Sequence, residues 1–278
     1  MIKKHKPTTS SRRHYTVPDY SVLTNAKPFK KLTSFKKRRV GRSKGKITVR
    51  HKESGNKKLY REVIFGEQKK GIVGVVKTIE YDPYRSAFIS LISYEDGDWH
   101  YILTPQEMKV GEKIICNEKA ALKSGNRLLL KNIPVGSFVH NIEVKAEGGG
   151  RLVKSAGASA QVIAQDGRHT HLKMPSSEIR KILDICYASI GQLSNVEHGM
   201  TSIGKAGRSR HLGRRPKVRG KAMNPVDHPY GGGEGRTQRG TKRPKSIYGK
   251  VTGGRKTRKR KKYSDKFIIE RRKKKRKK

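Results

Sequence analysis

The chain has 278 residues, a formal charge of +45 and only 32% hydrophobic residues. That length allows one or two domains. The sparse cysteines, Cys116 and Cys186 without a CxxC pair, argue against a disulfide framework or a zinc site and for two buried free thiols in a reducing compartment. Residues 1–62 hold 20 Lys/Arg against 3 Asp/Glu, residues 63–200 hold 17 against 15, and residues 201–278 hold 30 against 4. A nearly neutral, apolar-rich middle therefore lies between two basic arms. Such arms cannot bury enough apolar surface to fold alone and repel themselves without a polyanion. They carry no amphipathic apolar face and no run long enough to span a bilayer, so no membrane partner is expected. The N-terminus lacks the apolar stretch of a secretory signal, and Pro7, Pro18 and the lysine excess oppose a presequence helix. A cytoplasmic nucleic-acid binder is the expectation.

Residues 1–62 read as an extended basic arm. KPFKKLTSFKKRRVGRSKGKITVRHK (27–52) places a cation at nearly every second position, with Phe29 and Phe35 interleaved to wedge into a groove or pin the arm to the protein body. Its candidate phosphate contacts are Lys36, Lys37, Arg38, Arg39, Arg42, Lys44, Arg50 and His51. A short strand is expected at 47–49. From 63 to 131 the pattern turns to β, with β-branched and aromatic runs at 71–82, 86–97 and 99–103 and shorter ones at 112–116 and 127–131. Five short strands separated by Asp-Pro and Asp-Gly turns predict a small OB-fold-like barrel. Trp99 is read as core or barrel cap in preference to a base-stacking platform.

A second β unit occupies 132–196, with strands at 133–145, 159–167, 169–174 and 187–193, and fits a small SH3-like barrel. Ser176-Ser177-Glu178, followed by Ile179, Ile182 and Leu183 at helical spacing, predicts a short helix. Beyond 196 hydrophobic periodicity ends. Residues 197–278 form a Gly/Arg/Lys-rich segment and basic tail too long for an ordinary internal loop, and residues 267–269 are its one apolar anchor.

Within that segment the stretch VRGKAMNPVDHPYGGGEGR (218–236) carries most of the information. Its prolines exclude a helix or central strand through Asn224–Pro229. Gly231, Gly232 and Gly233 permit close approach of another surface. Ordering such a loop costs about 1–2 kcal/mol per residue in backbone entropy, so it is disordered or moulded onto a partner. Arg208, Arg210, Arg214, Arg215 and Arg219 precede it and Arg236 closes it, which makes that partner a polyanion. An irregular arm matches folded RNA better than a uniform duplex groove. Asp227-His228 invites an acid/base reading, but no nucleophile signature accompanies it, and neighbours in extended chain point apart. A loop-fixing or RNA-contacting histidine is favoured. His169 and His171 make a weak metal signal on a strand surface, and the nucleotide-binding fingerprints are missing.

At GKAGRSRHLGRRPKVRGKAMNPVDHPYGGGEGR (204–236) the chain resembles the bacterial-type second large-subunit ribosomal protein, the universal "L two" family. ITVRH (47–51), IEYDPYRSA (79–87), IPVGSFVHNIE (133–143), LVKSAGASAQ (152–161) and SDKFI (264–268) extend the resemblance over nearly the whole chain. It implies an OB-fold and an SH3-like barrel with extended terminal segments. It also implies binding to 23S-type large-subunit rRNA, neighbouring ribosomal proteins, the small subunit across the intersubunit face and, indirectly, tRNA. A role in subunit association, tRNA placement and support of the peptidyl-transferase region comes with it; Asn224 and Asp227 lie in the loop expected to bind rRNA near that region, and His228 falls on the family's functionally implicated histidine in the NPVDHP motif. The family usually has a second histidine where Tyr230 stands, a tryptophan at His211, and a GGGH element where this chain has Glu53-Ser54-Gly55-Asn56.

The expectation is thus a mainly β, non-enzymatic rRNA-binding protein with no cofactor beyond Mg2+ carried by the RNA. Direct acid/base participation of His228 in peptidyl transfer, or a free nucleic-acid chaperone, are the alternatives.

Overall fold

A computed structural model describes residues 2–36, 40–65, 68–254 and 256–272. The fold is mainly β, and the chain divides into two compact units: one of residues 1–37, 57–205 and 266–278, the other of residues 38–56 and 206–265. The basic N-terminal stretch is therefore not one arm, since its residues fall into both.

Among the described residues the first unit holds three two-stranded sheets and two large ones. In the first, the strands run Lys113–Ile115, Val73–Glu80, Ile89–Tyr94 and Trp99–Leu103 across the sheet, all antiparallel. Parallel bridges Val63–Tyr101 and Lys70–Cys116 begin to close it into a barrel. Ile89–Tyr94 is buried along both faces over its first four residues. One face packs on Val76, Ile79, Phe88, Met108 and Ile114, the other on Tyr101, Leu103 and Leu193. Phe29, Leu32, Val63 and Phe65 cover that second face, which is what orders the N-terminal segment. Phe29 stacks on Trp99 at 5.4 Å and 12°, so Phe29 pins its segment and Trp99 caps the barrel. Phe35 stays 65% exposed.

The second sheet has seven strands, in the order Arg127–Leu129, Tyr187–Ile190, Phe138–His140, Ala160–Asp166, His169–Lys173, Ile179–Leu183 and Ile268–Glu270. Its core includes Leu128, Leu130, Ile133, Val139, Ile142, Val162, Leu172 and Ile182. Three local expectations change here. Arg127–Leu129, expected to finish the first barrel, pairs with Tyr187–Ile190 and keeps one parallel bridge to that barrel, Arg127 to Cys116. The helix expected after Ser176 is the strand Ile179–Leu183. Ser177, at φ 66°, closes a hairpin in which Met174 N–H donates to the Glu178 carbonyl at 2.9 Å, and cross-strand pairing overrides the spacing of Ile179, Ile182 and Leu183. Of the two cysteines only Cys186 is buried; Cys116 is half-buried. The apolar tail segment does anchor, as the edge strand Ile268–Glu270 beside Ile179–Leu183.

Among the described residues, no helix is long and apolar enough to cross a membrane.

Candidate nucleic-acid interface

The second unit carries 27 Lys/Arg against four Asp/Glu, and its organisation begins with a hairpin. Arg42–Ser43 pairs with Lys46–Ile47 across a turn in which Lys44 and Gly45 both take positive φ, 48° and 74°. Two successive left-handed residues match the twist of a tight hairpin. The strand expected at 47–49 thus starts one residue early and ends at Ile47. Arg42 and Lys44 are presented at this tip, exposed.

Residues 51–56 then run antiparallel to 211–216, with a bridge between Lys52 and Arg214. Arg215 N–H donates to the His51 carbonyl (3.2 Å), Glu53 N–H to Gly213 (3.0 Å) and Asn56 N–H to His211 (3.0 Å). His51 Nδ1 bonds the Pro216 carbonyl at 2.9 Å, with the carbonyl accepting. Gly213, at φ 85°, follows the α-helix Ala206–His211, and any Cβ there would sit 2.6 Å from the Glu53 carbonyl oxygen. That helix is too short to leave a periodic signature in the sequence.

Glu53 is the only acid among residues 38–56. Its carboxylate accepts a two-pronged fork from Arg210, Nε at 2.6 Å and Nη2 at 2.8 Å, and Arg215 Nη1 lies 3.6 Å away. The Arg210 hydrogen bonds hold this carboxyl below the usual carboxylate range and push the guanidinium up in turn. The result is a cradle of about 800 Å³ whose lining includes Arg50, His51, Lys52, Glu53, Arg210, Arg214 and Lys217. Arg208 lies on the same short helix, and Arg50 also faces the Tyr248 ring at 5.7 Å. The cations of the cradle share one concave surface, an arrangement that suits consecutive phosphates.

The glycine-rich loop is more self-supporting than its composition suggests. The Asn224 carbonyl accepts from both Asp227 N–H (3.0 Å) and His228 N–H (3.2 Å); Gly231 N–H returns to His228 (2.8 Å) and Gly232 N–H to Met223 (3.2 Å). Gly231 is needed because a Cβ there would lie 2.3 Å from the Asn224 oxygen. Within the loop itself the backbone of Asn224 approaches Gly231, the Pro225 ring Gly232 and the Thr237 side chain Gly233. Gly232 and Gly233, at φ 81° and 80°, supply the left-handed turns that follow.

His228 is half-buried within this loop. Tyr230 N–H donates to its Nδ1 at 3.1 Å, and the two rings lie 4.8 Å apart. With Nδ1 accepting, the neutral imidazole carries its proton on Nε2 and offers a donor. Among the described residues no hydrogen bond joins Asp227 to His228. Gly220 abuts the imidazole, since a Cβ there would fall 2.6–2.7 Å from three ring atoms. The Tyr230 hydroxyl accepts from Lys245 N–H, which pushes this phenol below its ordinary range, and the Arg239 guanidinium stands 5.9 Å from its ring. Arg219, Asn224, Asp227 and Arg236 are exposed. Lys37, Arg38 and Arg39 lie outside the described residues.

Sequence reasoning missed a second cationic feature, on the barrel unit. Lys36 Nζ sits 4.6 Å from the Tyr60 ring centre, Arg85 lies between the rings of Tyr60 (5.3 Å) and Phe65 (5.5 Å), and Lys154 Nζ caps Phe65 at 4.1 Å. Asp82 anchors Arg85 and also accepts Tyr84 N–H at 2.8 Å, so the Asp-Pro turn aims the guanidinium. Burial, with Arg151 and Arg85 nearby, pushes the Lys154 ammonium below its usual range. The sequence singles out Lys36 as a phosphate contact and Arg85 within the IEYDPYRSA run, but not their gathering with Tyr60, Phe65 and Lys154. Among the described residues, no three His, Cys, Asp or Glu gather as metal ligands.

Comparison with known families gives two matches. Residues 29–116 match the family model described as Ribosomal Proteins L2, RNA binding N-terminal domain, and residues 123–249 match Ribosomal Proteins L2, C-terminal domain. The chain belongs to the ribosomal protein L2 family. As an L2 protein it is a structural, rRNA-binding component of the large ribosomal subunit, and its location is the ribosome. The gap between the two L2 matches precedes Arg127–Leu129, in keeping with the pairing of that strand in the second sheet.

Proposed function

We propose that this L2 protein supports the peptidyl-transferase region, tRNA placement and subunit association by holding rRNA in shape, and that it performs no chemistry itself. Residues 38–56 and 206–265 enter the RNA, and the barrel unit docks on its surface. Neighbouring ribosomal proteins and the small subunit complete its surroundings. The observation carrying this reading is the His228 hydrogen bond. A general base needs a lone pair facing its substrate. Here the Nδ1 lone pair is occupied by Tyr230 N–H and the other nitrogen bears the proton, which suits a donor that fixes an RNA fold.

His228→Ala tests this. An assembly defect, with reduced incorporation into large subunits on sucrose gradients, is the expected result. Normal assembly with abolished peptide-bond formation would establish the acid/base alternative. The free-chaperone alternative is tested by sedimentation, because a resident component co-migrates with large subunits through moderate salt. Binding to an rRNA fragment should weaken steeply with salt, by about 0.7–0.9 in log K per log salt for each phosphate neutralised.

A further inference from the structure

The segment 206–265 is a closed excursion of the chain. It leaves the barrel unit after Lys205 and rejoins it at Lys266. The departing end is fixed by the N-terminal residues. Ser202 N–H donates to Thr16 Oγ1 (2.7 Å) and Thr16 N–H to the Ser202 carbonyl (3.2 Å). Gly204, at φ 77°, turns the chain against Tyr15, whose Cβ would lie 2.9 Å from a Cβ placed there. The returning end is fixed by the edge strand Ile268–Glu270, in which Ile268 pairs with Arg180 and Glu270 with Ile179.

That strand differs in kind from the chain around it. Residues 255–278 hold 16 Lys/Arg, two acids and one apolar run, 267–269. Phosphate neutralisation calls only for the cations, whereas strand pairing calls for the β-branched run. Phe267 and Ile268 are half-buried, and Ile269 is 51% exposed. The lead-in is a closed turn. Arg258 Nε donates to Asp265 Oδ1 (2.8 Å), Arg258 Nη2 to Ser264 Oγ (3.0 Å) and Asp265 N–H to the Lys262 carbonyl (2.9 Å). Glu178 partners the Arg180 guanidinium and screens it from the cationic tail. A chain held at both ends samples fewer shapes than one held at a single end. The restraint lowers the entropy lost when the segment is ordered on a partner.

We propose that Ile268–Glu270 is a clasp that pre-orders the segment 206–265 for RNA, and that Ile268 is a positioning residue for rRNA binding, acting through that segment. The proposal rests on the reading that 206–265 binds RNA, and the experiment separates the two. The full chain is titrated with an rRNA fragment across a salt series, and hydrogen exchange follows the amides of Ile179–Leu183. Ile268→Gly with Ile269→Gly leaves the charge unchanged and should speed exchange there, while Ala160–Asp166 in the same sheet stays slow. Affinity should then fall several-fold at every salt with the salt slope kept, because the bound state makes the same phosphate contacts. Ile268→Val, which still favours a strand, should restore both the slow exchange and the affinity. Ile268→Ala, a milder change, repeats the measurement should the double variant unfold. Unchanged affinity despite faster exchange, a reduced salt slope, or exchange that stays slow without the apolar pair would each overturn the clasp. Arg214→Gln with Lys217→Gln is the companion measurement. If losing those cations left affinity and salt slope untouched, the RNA reading on which the clasp rests would be refuted instead.

Discussion

Arg210 closes a two-pronged hydrogen-bonded fork on Glu53 across 157 positions of sequence. Net charge alone says that removing an acid from a +45 chain tightens RNA binding. The geometry says otherwise, because Glu53 holds both Arg210 and Arg215 in the cradle. Glu53→Gln should therefore weaken binding to an rRNA fragment a few-fold at fixed salt while leaving the salt slope unreduced, because no phosphate-contacting cation is lost. Affinity measured across a salt series checks this. Tighter binding at every salt would mean that the cradle needs no acid to shape it.

Gly220 lies against the edge of the His228 ring, and this contact sets a second test. Gly220→Ala places a methyl 2.6–2.7 Å from three ring atoms, so the imidazole must leave its position and give up the hydrogen bond from Tyr230 N–H. The charge is unchanged, yet incorporation into large subunits should fall, as is expected of His228→Ala. Gly207→Ala is the control. Nothing lies within 4 Å of that position, and alanine favours the Ala206–His211 helix by up to about 1 kcal/mol. It should assemble normally.

The sequence made the β character, the two sheet systems and the basic flanks legible, because alternating β-branched runs and charge density are local signals. It did not make legible which strands pair. Ile179, Ile182 and Leu183 are equally spaced for one helical face, and only the neighbouring strand His169–Lys173 makes them β. Arg127–Leu129 likewise takes its sheet from Tyr187–Ile190, 60 residues on. For the interface, the cations of 206–219 were readable one by one, but their gathering around Glu53 was not. Glu53 is a lone acid in a basic run. The ladder of Lys36, Tyr60, Arg85, Phe65 and Lys154 has no single sequence signature, since its residues are spread from position 36 to position 154.

Tyr101 ties the N-terminal segment to the first barrel. Its fully buried hydroxyl accepts Phe29 N–H at 2.9 Å and donates to the buried Glu80 carboxylate at 3.0 Å. Tyr101→Phe strips one hydrogen bond from each and leaves the groups without water to replace it. The barrel should lose about 1–3 kcal/mol. Trp99, the only tryptophan, stacks on Phe29, so its fluorescence should report release of the segment directly. Phe35→Ala, at a side chain 65% exposed, should change stability by no more than about 0.5 kcal/mol.

His140 predicts how stability depends on pH. Burial pushes this imidazole down to about 4; Nδ1 donation to the Gly191 carbonyl (2.9 Å) opposes the shift, and Arg127 reinforces it. The unfolded chain binds a proton near the ordinary histidine value, about 6.5, while the folded chain declines it until about pH 4. Stability from this group is thus complete above pH 6.5, falls as pH drops towards 4, and is flat below that. The interval corresponds to about 3 kcal/mol. Other groups titrate in the same range, so the useful quantity is the difference between the chain and His140→Gln, whose amide keeps a donor for Gly191 without a titratable nitrogen. Urea melts followed by far-ultraviolet circular dichroism at pH 7 and pH 5 should show a markedly smaller loss for the variant. Equal losses would mean that the imidazole takes up its proton in the fold as readily as in water.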